Sequence, residues 1–254
     1  MARTARRAVP PLLLGALLLA VWQAVASLAG LPRFLLPGPV EVAGRLVSML
    51  TGTMIWPYVG RTLLESAGGC VLGTIVAVPL AVLVHRSGWV GAAVAPYLAA
   101  SQAIPAIALA PLLVLWVGYG LVPIVVLCSV MVFFPILIST VVGLAAAPAG
   151  VIDAARIDGA SPGQLLRHVE APLALPNVLA GLRNGFTLSV TGAVVGEMVM
   201  GGEGLGMLLT LQRDAVDTAG MVAVIVLLCA IAGSAYLLLQ HVERRSPLVA
   251  DVRP

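Results

Sequence analysis

Residues 151–172 read VIDAARIDGASPGQLLRHVEAP, a polar stretch set between two apolar blocks at 121–146 and 176–200. Val151 to Asp158 reads as a short helix, with Asp153 and Arg156 three residues apart and able to pair on one face. Gly159 falls where a helix C′ position takes a left-handed residue. A second helix then starts at Ser161, a good N-cap, with Pro162 at the first helical position and Gln164 at the third, which makes a capping box. Leu165, Leu166 and Val169 give it an apolar face, Arg167 and His168 lie beside that face, and Pro172 and Pro176 are expected to close the unit. Helices this short do not hold alone in water. A linker does not carry such specific caps, so the unit reads as a docking element for a partner.

The blocks on either side decide the fold class. A hydrocarbon core takes about 20 apolar residues as helix, and blocks of that kind run near 9–30, 66–85, 93–117, 121–146, 176–200 and 219–240. Hydrophobic residues make up 60% of the 254 positions and charged residues 10%, with a mean hydropathy of +1.07. A soluble domain is about 45–50% apolar and about 25% charged, so this chain has too few charges to coat a water-facing globule. The expectation is an all-α polytopic membrane protein with about six transmembrane helices. A soluble enzyme, a disordered chain and a secreted disulfide scaffold are excluded.

All fourteen basic residues are Arg. With the N-terminus inside, Arg3, Arg6, Arg7, Arg86, Arg156, Arg167, Arg183, Arg244, Arg245 and Arg253 face the cytoplasm, against Arg33, Arg45, Arg61 and Arg213 outside. This bias leads to the expectation that both termini and the 147–175 loop lie on the inner side of the membrane. The first block serves as an N-terminal anchor span over 1–35 or, with Ala24-Val25-Ala26 as a cleavage site, as a signal peptide. Prolines at 32, 37 and 39 stop it, and an external amphipathic segment, 36–65, follows with a short surface helix near 40–50. The transmembrane domain then covers 66–241 and a cytoplasmic tail 242–254. Gly118-Tyr119-Gly120 makes a sharp turn between the third and fourth blocks, whose prolines 96, 105, 111, 123 and 135 suit kinked helices.

Covalent chemistry is not expected. Without Lys there is no P-loop, so no nucleotide is held that way. Cys70, Cys128 and Cys229 lie far apart inside apolar blocks and read as packing residues. His85, His168 and His241 fall near the inner ends of predicted spans with no carboxylate at metal-ligand spacing. No catalytic residue, metal site or cofactor is expected in this chain.

The 151–172 segment resembles the EAA loop of permease subunits of binding-protein-dependent ABC importers. That pattern runs Glu-Ala-Ala, three residues, Gly, nine residues, then Ile-x-Leu-Pro. Here Asp153-Ala154-Ala155 is followed at the same intervals by Gly159 and by Val169-Glu170-Ala171-Pro172. Leu36-Pro37-Gly38-Pro39, the run from Ile104 to Pro111, Phe133-Phe134-Pro135-Ile136 and Gly196-Glu197 through Gly206 are similar to the nitrate, sulfonate and taurine type. That subfamily includes importers for thiamine-precursor pyrimidines and riboflavin, which the stretch around Trp116 to Gly120 resembles. The resemblance implies a cytoplasmic coupling-helix loop, with Asp153, Ala154, Ala155, Arg156, Gly159 and Pro172 as ATPase-coupling residues. It implies a pair of permease chains, expected as a homodimer. It also implies two ABC ATPase subunits that bind the ATP, and an extracytoplasmic substrate-binding protein. The cargo it implies is a small solute such as a sulfonate, taurine or nitrate, or alternatively a vitamin or vitamin precursor.

Polar groups in the apolar blocks are the substrate-path candidates. Arg183, Asn184 and Thr187, with Ser189 and Thr191, give the fifth block a polar population, and Ser101 and Gln102 interrupt the third. Arg183 either favours an anion at the inner mouth or snorkels to headgroups. Glu197 is either a gate or binding-protein contact, or a helix-packing partner. A stand-alone transporter or an intramembrane enzyme calls for mid-membrane charge pairs, an inverted repeat or a catalytic cluster, none of which is evident.

Overall fold

The structure, a computed structural model, describes residues 2–28, 32, 34–101 and 105–245, and in these it is all helical. In chain order the helices are α1 (Ala2–Leu28), α2 (Pro39–Thr51), α3 (Ile55–Arg86), α4 (Gly88–Ser101), α5 (Ala106–Val117), α6 (Leu121–Ala145), α7 (Ala149–Ile157), α8 (Pro162–Leu165), α9 (Ala171–Met200), α10 (Leu205–Asp214) and α11 (Thr218–Arg245). A π-helical turn, Leu166–Glu170, joins α8 to α9 without a break.

The centre of the body is α6 held between α3 and α9. Glycines allow that closeness. A Cβ added at Gly69 on α3 would lie 2.1 Å from the Cβ of Cys128 on α6, and one at Gly181 on α9 would lie 2.7 Å from that of Ser139. Lipid gives helices no hydrophobic reason to associate, so close backbone packing of small residues carries the contact. Ile124, Leu127, Val132 and Ile136 of α6 are fully buried between the two neighbours. The outer face of α3 and those of the helices around the trio carry large exposed apolar side chains, among them Leu72 and Ile75 on α3, Leu115 on α5, and Leu237 and Leu238 on α11.

Among the described residues, four helical runs are long and apolar enough to cross a membrane: Ile55–Arg86, Leu121–Ala145, Pro162–Met200 and Thr218–His241. The other two expected spans stand outside these four. In α1 the apolar stretch among the described residues is Leu13–Leu28. The third block, 93–117, is two helices: α4 reaches Ser101, and α5 restarts after Pro105, whose ψ of 121° is extended. Proline disfavours continuation of a helix from the residue before it.

Two boundaries move. The second span was expected from 66, but α3 already begins at Ile55 and takes in Arg61 and Glu65. The two charges sit at i and i+4 and pair at 2.7 Å, so the helix can carry both inward. The fifth span was expected after Pro176, but Pro172 and Pro176 lie inside a continuous helix. The π turn just before Pro172 shifts the ladder to i+5 bonding, with the Ala171 amide donating to the Leu166 carbonyl. A widened turn is one way a helix accommodates a proline that cannot donate. The surface helix near 40–50 is α2, which packs Leu46, Met49 and Leu50 against α3, α10 and α11. The tail beyond Arg245 lies outside the described residues.

Candidate coupling segment and buried polar sites

The hairpin at one end of the body forms as its sequence requires. α7 ends in a Schellman motif: the Ala160 amide donates to the Ala155 carbonyl and the Gly159 amide to the Arg156 carbonyl, both at 3.0 Å. Gly159 has φ +83°, the left-handed value this cap needs. The capping box is complete, with the Ser161 amide donating to Gln164 Oε1 at 2.8 Å and the Gln164 amide to Ser161 Oγ at 3.4 Å. Asp153 and Arg156 pair at 3.6 Å on the open face of α7. No residue of α7 is buried, and Ile157 is 86% exposed. α7 therefore presents an uncovered apolar residue and a loose surface ion pair on its open side. Ala154 and Ala155 lie on the same open helix, while Pro172 sits in the first turn of α9.

Behind the hairpin, Glu170 is buried at the end of the π turn. Arg86 Nη2 lies 3.6 Å from its Oε2, and His85 Nε2 3.7 Å from its Oε1. Arg86 also donates to the Pro162 carbonyl. The sequence singled out neither Glu170 nor its two partners as a group, because 85 residues of chain separate them and no local pattern joins them.

Arg183 is drawn to α11. Its Nη1 donates to Glu243 at 3.1 Å, and its guanidinium lies 4.7 Å from the centre of the Tyr236 ring. Its neighbours on α9 divide: Asn184, Thr187 and Thr191, at i, i+3 and i+7, share one side of the helix with Arg183, where Thr187 bonds the Arg183 carbonyl and Thr191 the Thr187 carbonyl. Ser189 lies on the other side, buried, and donates to the Ser66 carbonyl at 2.7 Å. Ser101 ends α4, and Gln102 lies outside the described residues.

Glu197 is fully buried. The Thr62 hydroxyl donates to its Oε1 at 2.7 Å, the Gly206 amide donates to its Oε2, and the Leu205 amide donates to Thr62 Oγ1 at 2.8 Å. The loop after α9 wraps it so tightly that a Cβ at Gly204 would lie 2.0 Å from Glu197 Oε1. These bonds join Glu197 to α3 and to the start of α10. Beside it, Glu65 is fully buried and held by Arg61, which also reaches Glu203 at 3.4 Å. Arg61, Glu203, Tyr58 and Met207 line a cleft of about 770 Å³ that opens at this end. Thr62, Glu65 and Arg61 were not singled out in the sequence; the signal for them was the i, i+4 charge pair at the head of the second apolar block.

Among the described residues no group of three or more His, Cys, Asp or Glu side chains could hold a metal ion.

Comparison with known proteins places these features in one family. The family described as binding-protein-dependent transport system inner membrane component matches residues 69–246. The riboflavin transport system permease protein RibX of Chloroflexus aurantiacus is 44% identical over 228 residues, covering 90% of this chain and 85% of that protein. The formylaminopyrimidine transport permease protein ThiX of Halalkalibacterium halodurans is 34% identical, covering 87% of this chain and 88% of that one. The taurine transport system permease protein TauC of Escherichia coli is 27% identical over 91% of this chain and 86% of that one. In fold, the chain superposes with a TM-score of 0.68 on an inward-facing structure of the MetNI methionine ABC transporter, at 24% identity, covering 79% of this chain and 97% of that one.

Proposed function

Since this chain belongs to the family of binding-protein-dependent transport system inner membrane components, we propose that it forms the path for a vitamin or vitamin precursor in an ATP-driven importer. Membership makes it a non-catalytic, multi-pass inner membrane subunit of an ABC transporter. The cargo is the finer reading. Of the two cargo classes the sequence left open, the sulfonate type has a relative at 27% identity and the vitamin type has relatives at 44% and 34% over comparable lengths. Identity at the higher level supports the vitamin type.

The observation that carries the coupling role is the hairpin of α7 and α8. α7 closes on a Schellman turn and α8 opens on a full capping box, the outer face is bare, and the unit lies between α6 and α9 in the chain. Asp153 to Arg156 and Gly159 then face the ATPase on the cytoplasmic side, Pro172 carries the segment into α9, and ATP is bound and hydrolysed on that partner. The permease works as a pair, with an extracytoplasmic binding protein delivering cargo at the opposite end. Arg183, Asn184, Thr187, Ser101, Gln102 and Glu197 remain the candidates for the path itself.

Expression with the neighbouring ATPase and binding-protein genes in a riboflavin-uptake-deficient host tests this directly. Labelled riboflavin or a formylaminopyrimidine should accumulate in an ATP-dependent manner, and labelled taurine should not. Taurine accumulation in place of either ring compound returns the cargo to the sulfonate class.

A further inference from the structure

The hairpin is joined to α6 and α9 by the chain itself, so a displacement of it reaches those two helices directly. α3 has no such connection, yet α3 is the other wall of the central trio. The link is made by side chains. Arg86, the last residue of α3, donates to the carbonyl of Pro162, the first residue of α8, and pairs at 3.6 Å with Glu170, the last residue of the π turn. One guanidinium thus spans the whole of 162–170 from first residue to last. His85 adds a second contact to the same carboxylate at 3.7 Å.

Burial sharpens the point. The Glu170 side chain is 7% exposed, and its Oε2 has no hydrogen-bond partner. Both of its ion-pair separations are longer than a hydrogen bond. The charge is therefore held by electrostatics in a place where water does not replace a lost partner. Its position is also particular. A π turn is the point at which a helix changes phase, and such turns gather where a helix serves a function beyond packing. The Arg86 contacts at Pro162 and Glu170 hold both ends of 162–170 against the end of α3.

We propose that Glu170 is a positioning residue: clasped by Arg86 and His85, it ties α3 to the coupling segment so that α3, α6 and α9 are displaced as one block. The proposal rests on the reading of the hairpin as the ATPase-facing segment, and its test separates the two. In the complex with the ATPase, in lipid nanodiscs, Cys229 is replaced by Ser and spin labels are placed at Leu83→Cys on α3 and Arg167→Cys on the π turn, both exposed sites. The label-to-label distance should form one narrow distribution that ATP and vanadate leave in place. Glu170→Gln, of the same shape, should at least double its width without nucleotide and shift it with ATP and vanadate. The reversed pair Arg86→Glu with Glu170→Arg should narrow it again. Where Glu170→Gln does not assemble, Arg86→Gln takes its place with the same expectation. A distribution as narrow in the Gln variant as in the parent overturns the proposal. So does a parent distance that shifts with nucleotide, or a reversed pair no narrower than Glu170→Gln. Failure of any ATPase to co-purify overturns the functional reading instead, and the nucleotide-free comparison still judges the clasp.

Discussion

Thr62 on α3 and Glu197 on α9, separated by 135 residues of chain, share a hydrogen bond of 2.7 Å in a site that neither side chain exposes to solvent. The same hydroxyl accepts from the Leu205 amide, so it fixes the start of α10 as well. With the Ser189 to Ser66 bond lower in the bundle and the Glu170 clasp at the far end, α3 is tied at three heights to α9 and to the π turn that leads into it. A set of three polar ties along two apolar helices fixes their register, which apolar packing alone leaves loose.

Thr62→Val keeps the shape and removes both bonds. It leaves Glu197 Oε1 and the Leu205 amide without that partner, and an orphaned buried group costs about 1–3 kcal/mol. The thermal midpoint of the purified protein in detergent should fall by several degrees. Thr62→Ser, which keeps the hydroxyl, should recover most of the loss. An unchanged midpoint for the valine variant shows that the tie contributes nothing to stability.

The glycines around Glu197 should divide sharply from those on the open hairpin. A methyl at Gly204 meets Glu197 Oε1 at 2.0 Å and Thr62 Oγ1 at 2.4 Å, whereas one at Gly163 meets nothing within 4 Å. Overpacking of a tight site costs about 1–3 kcal/mol or more. Gly204→Ala should therefore sharply reduce the yield of folded protein in the membrane, and Gly163→Ala should leave it unaltered. Size-exclusion profiles of the two in parallel decide the matter.

How much of this was legible beforehand differs from residue to residue. Gly159 and the Ser161 to Gln164 box were legible because a cap is a local object, written within four residues. The long helices followed from apolar length, except where Pro105 divided the third block and where α9 runs on through Pro172 and Pro176, and the short polar-flanked α10 was not foreseen. What the sequence hid were the long-range ties. Nothing near Glu170 points to Arg86, and nothing near Glu197 points to Thr62, since a hydrogen bond across helices leaves no periodic trace. The start of α3 was missed for the opposite reason: Arg61 and Glu65 look like water-facing charges until their pairing is seen.

Gly159→Val tests the bend of the hairpin. Space is not the obstacle, for no atom lies within 4 Å of an added Cβ. The obstacle is φ +83°, which costs an ordinary residue about 1–2 kcal/mol and a β-branched one more. The variant should still insert and bind the ATPase, but ATP hydrolysed per molecule taken up should rise severalfold. Gly159→Asn, which tolerates the left-handed region, should stay near the parent ratio. Normal coupling in the valine variant removes the bend as the point of transmission.

Arg183 offers the sharpest choice between a path residue and a strut. Its side chain is 16% exposed and that of its partner Glu243 is 12%, with the Tyr236 ring beneath the guanidinium. Breaking a largely buried pair from one side costs about 3–5 kcal/mol, because the abandoned charge is stranded. Arg183→Gln should therefore lose both stability and uptake. Arg183→Gln with Glu243→Gln removes both charges together and should recover the thermal midpoint to a large extent. If uptake returns with it, Arg183 acts as a strut between α9 and α11. If the midpoint returns and uptake does not, the guanidinium serves the passage of cargo, and its contact with α11 holds it there.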